Sequence, residues 1–306
     1  MMIPRRTFLQ TLLGAPLAHS LLHAEPDGFS LRYVLASALY GDMPLETILP
    51  EVAALGCVGL DVWCKVHGTQ REQISEKGDA WFLETLQKHG VKLEVSTRYP
   101  LGPFRLQDEI RWVKKMGGSM VLCGCVGPKN PTGSEARDAI RKFLSEMEPH
   151  VAFAAEHGIR IAIENHSNTA LSHPDSLRAF AEWNRSEHLG IAFAPHHLGP
   201  WPDEIPKLIR ELGNRNLPFV YLQEHGEGAS RKVAKEIELQ QLPGMGGSLD
   251  YRPLLGALRA IRYTGLVELF MHPTPRGVPI LPTVTEIREV LRKSRSAIDS
   301  LLPKIP

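Results

Sequence analysis

The sequence predicts an α/β protein, a single closed barrel of eight parallel strands that are each followed by a helix: a (β/α)8 barrel. From residue 31 onward, short apolar segments alternate with longer segments of helical periodicity, and eight segments of each type occur. The 306 residues also suffice for such a barrel, which typically needs about 250. An open doubly wound sheet is the alternative, but the Gly-rich phosphate turn that often follows its first strand is missing here.

The strand candidates are runs of mostly apolar residues. They are predicted at 31–37, 58–63, 92–97, 119–125, 160–165, 189–194, 218–223 and 266–271. Helices are predicted between them at 45–55, 79–88, 106–115, 134–157, 175–183, 205–212, 251–261 and 283–302. Several of these helices stop at a glycine, as at Gly90 and Gly158, because glycine adopts the left-handed ending without steric cost.

The first 24 residues are expected to form a separate segment. Arg5 and Arg6 precede a modestly apolar stretch at 11–22, and this order resembles a twin-arginine export signal. We therefore expect a signal peptide at 1–24 and one barrel domain at 25–306. The alternative is an amphipathic leader that belongs to the fold. An export signal predicts a periplasmic or otherwise extracytoplasmic protein, with no stable membrane anchor after the signal is removed.

Composition and charge disfavour several classes of protein. The formal net charge of +1 argues against a nucleic-acid partner, which would require clustered Lys and Arg. After the N-terminal segment, no apolar run approaches the roughly 20 residues that a membrane span needs. The 4 cysteines are too few and too irregularly spaced for a disulfide framework.

Polar side chains collect at the carboxyl ends of the predicted strands, where a parallel barrel places its chemistry. The fifth strand runs into Glu164-Asn165-His166, and Glu268 lies in the eighth. Carboxylates and imidazoles that meet at one rim favour a divalent cation. The alternative for any one histidine is a helix cap or a bond to a backbone carbonyl. Histidine follows five of the eight strands, at His67, His166, His196-His197, His225 and His272.

Three motifs give the chain a resemblance to a known superfamily: Glu164-Asn165-His166, the Leu-Pro-Gly-Met-Gly turn at 242–246, and the Arg-Tyr-Thr-Gly turn at 262–265. With them, the chain resembles the sugar phosphate isomerase/epimerase superfamily of xylose isomerase-like TIM barrels. The resemblance covers nearly all of the chain after the N-terminal segment. It implies that Glu164 and Glu268 bind a divalent metal.

The sequence departs from the family at two ligand positions. Ala194 stands where the family commonly has a metal-binding Asp, and Tyr221 stands where it commonly has a His. We therefore expect a different ligand set, in which the metal is held by Glu164, His197, His225 and Glu268. Imidazole ligands favour Zn²⁺, Mn²⁺ or Co²⁺ over Mg²⁺. The alternative is a barrel that has lost its metal.

The resemblance also implies a reaction, proton abstraction next to a carbonyl. Glu164 or Glu268 would remove and return the proton, and His166 or Lys65 would carry a proton to oxygen. The polar segment 65–72 is expected to be a loop, either one that closes over the substrate or one that is simply solvated. Residues expected to contact the substrate are Trp63, His67, Asn165 and His272.

The expected partner is a small-molecule carbohydrate. The sequence has neither a Gly-rich phosphate cradle nor an arginine cluster, so a neutral or oxidised sugar is favoured over a sugar phosphate. The predicted function is an exported sugar isomerase or epimerase. The alternatives are a lyase or hydratase that acts on keto-sugars, and a non-catalytic carbohydrate-binding barrel in which Trp63, Tyr99 or Trp201 stacks on the sugar. A DNA-repair endonuclease is disfavoured by the net charge, and a homo-oligomer is left open.

Overall fold

Eight short parallel strands close into a barrel in the computed structural model, which describes residues 28–305. Each strand pairs with its neighbours in chain order, and the eighth pairs with the first, so the predicted (β/α)8 fold is confirmed and the open sheet is excluded. The predicted signal peptide lies outside the described residues. The strands are β1 (Arg32–Ala36), β2 (Gly59–Trp63), β3 (Leu93–Thr97), β4 (Met120–Gly124), β5 (Arg160–Glu164), β6 (Leu189–Phe193), β7 (Phe219–Leu222) and β8 (Leu266–Leu269).

All eight predicted helices are present, and two short ones were not predicted. The second helix, α2, begins inside the segment expected to be a loop. It has a single apolar side chain, the buried Ile74, so it shows no apolar periodicity. The helices are α1 (Leu45–Ala54), α2 (Gln70–Lys77), α3 (Asp79–His89), α4 (Gln107–Lys115), α5 (Gly133–Glu156), α6 (Pro174–Trp183), α7 (Ile205–Asn216), α8 (Lys235–Glu238), α9 (Tyr251–Ala260) and α10 (Val284–Asp299).

The core has two layers, one inside the barrel and one between the strands and the helices. Every residue of β2 and of β6 is buried, which is why these strands appear in the sequence as short runs with little polar alternation. The four cysteines are all free thiols, and three of them are buried. Within the described part of the chain, no helix has the length and apolar character needed to cross a membrane.

An ion pair joins the first and last helices of the ring. Glu51 of α1 is only 1% exposed, and its carboxylate accepts from Arg288 of α10 at 2.6 Å and 2.5 Å. A planar guanidinium matches the two carboxylate oxygens, and such bidentate pairs are the strong form of the interaction. Because α1 follows β1 and α10 follows β8, this ion pair stabilises the structure where β8 pairs with β1 and the barrel closes.

Candidate metal and catalytic site

A carboxylate and two imidazoles meet at the carboxyl end of the barrel. Glu164 is the last residue of β5, His166 follows it by two positions, and His197 lies in the turn after β6. One potential ligand atom from each lies within 4.8 Å of the others. His197 Nε2 is 3.8 Å from Glu164 Oε1, and the rings of His166 and His197 are also 3.8 Å apart. We call these three residues the metal triad.

In each of the two imidazoles, Nε2 is the nitrogen available to a metal. The Nδ1 of His166 lies 2.7 Å from the carbonyl oxygen of Ser167, so it carries the proton and leaves Nε2 as an acceptor. Burial, together with the neighbouring His166 and His225, lowers the pKa of His197 to about 3 and keeps its ring neutral. Its Nε2 is buried and has no hydrogen-bond partner among residues 28–305. Two imidazoles and one carboxylate are a ligand set that suits Zn²⁺ with a position open for substrate, so these residues fit a metal.

Glu164 is buried and held from one side by a tyrosine. Burial raises the pKa of Glu164 to about 7. The hydroxyl of Tyr99 donates to Glu164 Oε2 at 2.6 Å and lies 3.2 Å from the hydroxyl of Tyr221. Tyr221 therefore contacts the tyrosine that supports Glu164. The hydroxyl of Tyr99 therefore orients the Glu164 carboxylate.

Glu268 does not join the metal triad, contrary to the predicted ligand set. It is the third of four residues in β8, and its carboxyl lies fully buried inside the barrel instead of at the rim. It lies beside the carboxyl of Asp61 of β2, which accepts from the hydroxyl of Thr97 at 2.7 Å, and neither oxygen of Glu268 has a hydrogen-bond partner among residues 28–305. Burial raises the pKa of Asp61 to about 7 and that of Glu268 well above its usual range, so the pair shares a proton.

Two further predicted residues are not members of the metal triad. His225 is exposed in the loop after β7, near enough to lower the pKa of His197 but outside the group of possible ligands. Lys65 is also exposed, and its backbone N–H donates to the carboxylate of Glu72 at 3.3 Å. The structure therefore brings together only Glu164 and His197 of the four predicted ligands, and it adds His166 to them.

Aromatic side chains fill the mouth of the barrel above the shared-proton pair. Trp63 is 1% exposed and stacks on Phe270 with ring centroids 4.6 Å apart, so it is not free to stack on a sugar as predicted. His67 and His272 are half-buried with ring centroids 5.0 Å apart, and they remain candidates for contact with a substrate. This rim cluster consists of Trp63, His67, Tyr99, Phe270 and His272.

Asn165 supports the backbone of the site and does not face it. Its amide donates to the carbonyl of Ala194 at 3.0 Å and accepts from the N–H of Ala194 at 2.7 Å. Asn165 is fully buried, and both ends of its amide are engaged, so the predicted contact with substrate is replaced by a structural role. The bond pair fixes the spacing between the ends of β5 and β6, which carry Glu164 and the turn with His197.

Sequence reasoning missed Asp61 and the role of Tyr99. Asp61 is an acid within an apolar strand, a position where a charged side chain requires a partner, and this signal could have found it. Tyr99 lies just after β3, among the strand-end residues, and it was considered only as a residue that stacks on sugar. Its contact with Glu164 spans 65 positions of sequence, so no local pattern indicates it.

The chain matches one family model and several solved structures. The model is described as a xylose isomerase-like TIM barrel and matches residues 49–296. A D-psicose 3-epimerase determined in the presence of D-fructose is 16% identical, with a TM-score of 0.66, over 89% of this chain and 100% of that one. A D-allulose 3-epimerase from Methylomonas sp. is 15% identical, with a TM-score of 0.64, over 88% and 96% of the two chains.

A third similar structure contains metal. It is the IOLI protein with a binding zinc atom, 13% identical with a TM-score of 0.64 over 90% of this chain and 99% of that one. At such identities the likeness shows the fold. No curated protein matches the chain significantly.

Proposed function

The chain belongs to the xylose isomerase-like TIM barrel family, and on that premise we propose that it is a metal-dependent sugar isomerase or epimerase. The observation that carries this proposal is the metal triad: a buried carboxylate at the end of β5 with two imidazoles beside it. The epimerase and zinc-containing structures that share the fold support it. The proposed metal is a divalent ion, and the two imidazoles favour Zn²⁺, Mn²⁺ or Co²⁺ over Mg²⁺.

Glu164, His166 and His197 would hold the metal. A divalent ion in such a site supplies Lewis-acid polarisation of a substrate carbonyl. We assign to Glu164 the removal and return of the proton next to that carbonyl, because the other two acids near the barrel axis, Asp61 and Glu268, are fully buried and paired. The hydroxyl of Tyr99 orients the Glu164 carboxylate for this transfer. A proton-carrying role for Lys65 stays a prediction.

The experiment that tests the proposal combines metal analysis with turnover. We expect the purified protein to bind about one divalent ion per chain and to interconvert neutral sugars, with activity lost on chelation and restored by the ion. Glu164→Gln should lower turnover by about 10²- to 10⁴-fold, the usual contribution of a positioned base. His197→Ala should weaken binding of the ion as well. Product analysis distinguishes isomerisation from the elimination or hydration that a lyase or hydratase would catalyse.

A matched control is His157→Ala, which removes a histidine on the far side of the structure whose Nδ1 bonds to the carbonyl of Phe153 at 2.9 Å. This variant should keep both metal and turnover. If the protein binds no divalent ion and Glu164→Gln turns over as the wild type does, the proposed function is wrong. Binding of sugars without turnover would favour the non-catalytic carbohydrate-binding barrel.

We also propose that the protein is exported, on the strength of the arginine pair alone. Changing Arg5 and Arg6 to lysine keeps the charge but removes the paired guanidinium groups. The double variant should accumulate in the cytoplasmic fraction, whereas the wild type should appear in the periplasmic fraction with a shortened N-terminus. Equal distribution of the two proteins would contradict the proposal.

A further inference from the structure

A buried glutamine joins the chain after β7 to the chain after β8. Gln241 is fully buried in the short turn that follows α8. Its backbone carbonyl accepts from the N–H of Glu224, just after β7, at 2.8 Å. Its side-chain amide bonds instead to His272, just after β8. Gln241 therefore connects two neighbouring strands beyond the point where both have ended.

The side-chain amide of Gln241 has a partner for every hydrogen-bonding position. Its oxygen accepts from the N–H of His272 at 3.0 Å and from the amide of Gln223 at 3.2 Å. Its nitrogen donates to the carbonyls of His272 at 2.9 Å and of Glu238 at 3.1 Å. A primary amide offers two donors and two acceptor positions, so all are used. A Cβ added at Gly226 would lie 3.1 Å from Gln241 Cγ, so the adjacent loop also packs on this side chain.

The amide of Gln241 takes the place of a missing strand neighbour. It bonds to both backbone groups of His272, as the amide of Asn165 bonds to both backbone groups of Ala194. Backbone groups that lie beyond the end of a strand need such partners when they are removed from water. Gln241 therefore fixes the backbone of His272 where the β8 pairing no longer does.

The ring of His272 lies in the rim cluster, on the side of the triad. Its centroid is 5.0 Å from that of His67. Burial, the nearby Arg276 and the neighbouring imidazoles lower the pKa of His272 well below its usual range, so the ring is neutral. His166 and His197 of the triad are among those imidazoles. A neutral imidazole offers one donor and one acceptor, which matches a hydroxyl or carbonyl oxygen of a ligand held at the triad.

The position of this ring depends on the backbone that carries it. The His272 side chain forms no hydrogen bond with another residue of the described chain, and its only other neighbours are packed rings such as Phe270, at 4.9 Å. The bonds from Gln241 to the backbone are therefore the polar contacts that hold it. A shift of the backbone would move the ring relative to the triad.

We propose that Gln241 is a positioning residue for the sugar reaction, acting through His272, whose imidazole bonds to an oxygen of the substrate held at the triad. The inference rests on the proposed function, because it adds two residues to the same site. Gln241 itself does not touch the substrate. Its contribution is to keep the imidazole of His272 at the distance from the triad that the substrate spans.

Three substitutions separate positioning from general stability. Gln241→Leu removes the amide and keeps a side chain of similar size, and Gln241→Met provides a second variant whose unbranched chain adapts to irregular space. Asn184→Leu is the matched control. Asn184 is a buried amide that donates to the carbonyl of Leu189 at 3.0 Å, at the start of β6 and therefore at the opposite end of the barrel. All three variants should lower the melting temperature, but only those at Gln241 should affect His272.

Proton NMR of the metal-free protein tests the link between Gln241 and His272 without any sugar. The imidazole C–H signal of His272 is identified by its absence in His272→Ala. In the wild type this ring should stay neutral at the pH where an exposed histidine titrates, about 6.5. In Gln241→Leu and Gln241→Met the ring gains contact with water, so its pKa should rise toward that value. If His272 titrates in these variants as it does in the wild type and in Asn184→Leu, Gln241 does not position it.

A double-mutant cycle tests the link between His272 and the substrate, with D-psicose and D-fructose as the sugars. Gln241→Leu and His272→Ala should each raise KM about tenfold, as the loss of one well-placed hydrogen bond does, with kcat and the bound ion unchanged. The double variant should have the KM of His272→Ala alone, because residues that act through one contact are not additive. A double variant whose KM rises about a hundredfold, the product of two independent effects, would overturn the inference.

Calorimetric titration with D-fructose separates this inference from the proposed function. If Glu164→Gln abolishes isomerisation but Gln241→Leu changes neither KM nor the titration of His272, the function stands and the positioning role is wrong. If no isomerisation occurs, yet D-fructose binds and Gln241→Leu weakens that binding only while His272 is present, the positioning role stands and the catalytic proposal is wrong. Absence of both turnover and sugar binding overturns both.

Discussion

Tyr99 illustrates how one residue can set the properties of a candidate site. Burial and the nearby Glu164 raise the pKa of Tyr99 well above its usual range, so its hydroxyl remains a proton donor. That hydroxyl contacts both Glu164 and Tyr221. Tyr221 thus lies next to the group that holds Glu164 in place.

Tyr99→Phe should lower kcat by about tenfold, because a hydrogen bond to a charged group contributes about 1.5–3 kcal/mol and some of it is recovered by rearrangement. KM should change little, since the lost contact is with the carboxylate and not with the sugar. Tyr40→Phe is a matched control, a buried tyrosine whose hydroxyl has no hydrogen-bond partner among residues 28–305. If Tyr99→Phe has the same kcat as the wild type, Tyr99 does not position Glu164 for catalysis.

The ends of β5 and β6 show how an element places the site. The side-chain amide of Asn165 forms hydrogen bonds with both the N–H and the carbonyl of Ala194, and so adds a hydrogen-bonded link between the ends of the two strands. The turn that follows carries His197, which belongs to the triad. The metal site thus depends on this junction.

Asn165→Ala should lower the free energy of unfolding by about 2–4 kcal/mol, because two buried backbone groups lose their partner and each such loss costs about 1–3 kcal/mol. The change should also weaken metal binding, since the turn with His197 loses its anchor. Asn214→Ala is the control: its side chain accepts from the N–H of Thr264 at 3.0 Å at an exposed position. Denaturant unfolding and metal titration of both variants check this, and equal stabilities would contradict it.

At the scale of the elements, local pattern was sufficient for most of the secondary structure. The eight strands and eight main helices follow from apolar runs and helical periodicity. The helix α2 was missed because most of it is polar, and α8 because it has only four residues. Neither helix contributes a large apolar face, so periodicity carried no signal for them.

At the scale of the whole molecule, the barrel encloses acids that make stability depend on pH. Asp61 has a pKa raised to about 7 in the folded state, against an ordinary value of 3.8. A carboxyl with a raised pKa stabilises the fold at a pH below its unfolded pKa. That contribution is lost as the pH rises through the folded value.

The free energy of unfolding of the metal-free protein should therefore fall between about pH 4 and pH 7, by about 1.4 kcal/mol for each unit by which the pKa is shifted. Asp61→Asn should flatten this slope, because an amide can accept from Thr97 and donate to Glu268 at every pH. Asp203→Asn, at an exposed surface position, should show the same pH dependence as the wild type. Denaturant unfolding across the pH range is the measurement, and parallel profiles for wild type and Asp61→Asn would contradict the shared-proton pair.

The sequence by itself determined the number and order of the strands, the closed barrel and the family, because the strands are almost entirely buried and each of the eight main helices is buried on one face. It also located Glu164 at the end of β5, where chemistry was expected. Only the tertiary structure decided which polar groups meet. Periodicity tells which face a residue occupies but not its depth along the barrel, so Glu268 was expected at the rim and lies in the interior with Asp61. Contacts such as that of Tyr99 with Glu164 join distant parts of the chain, and they exist only once the barrel has closed.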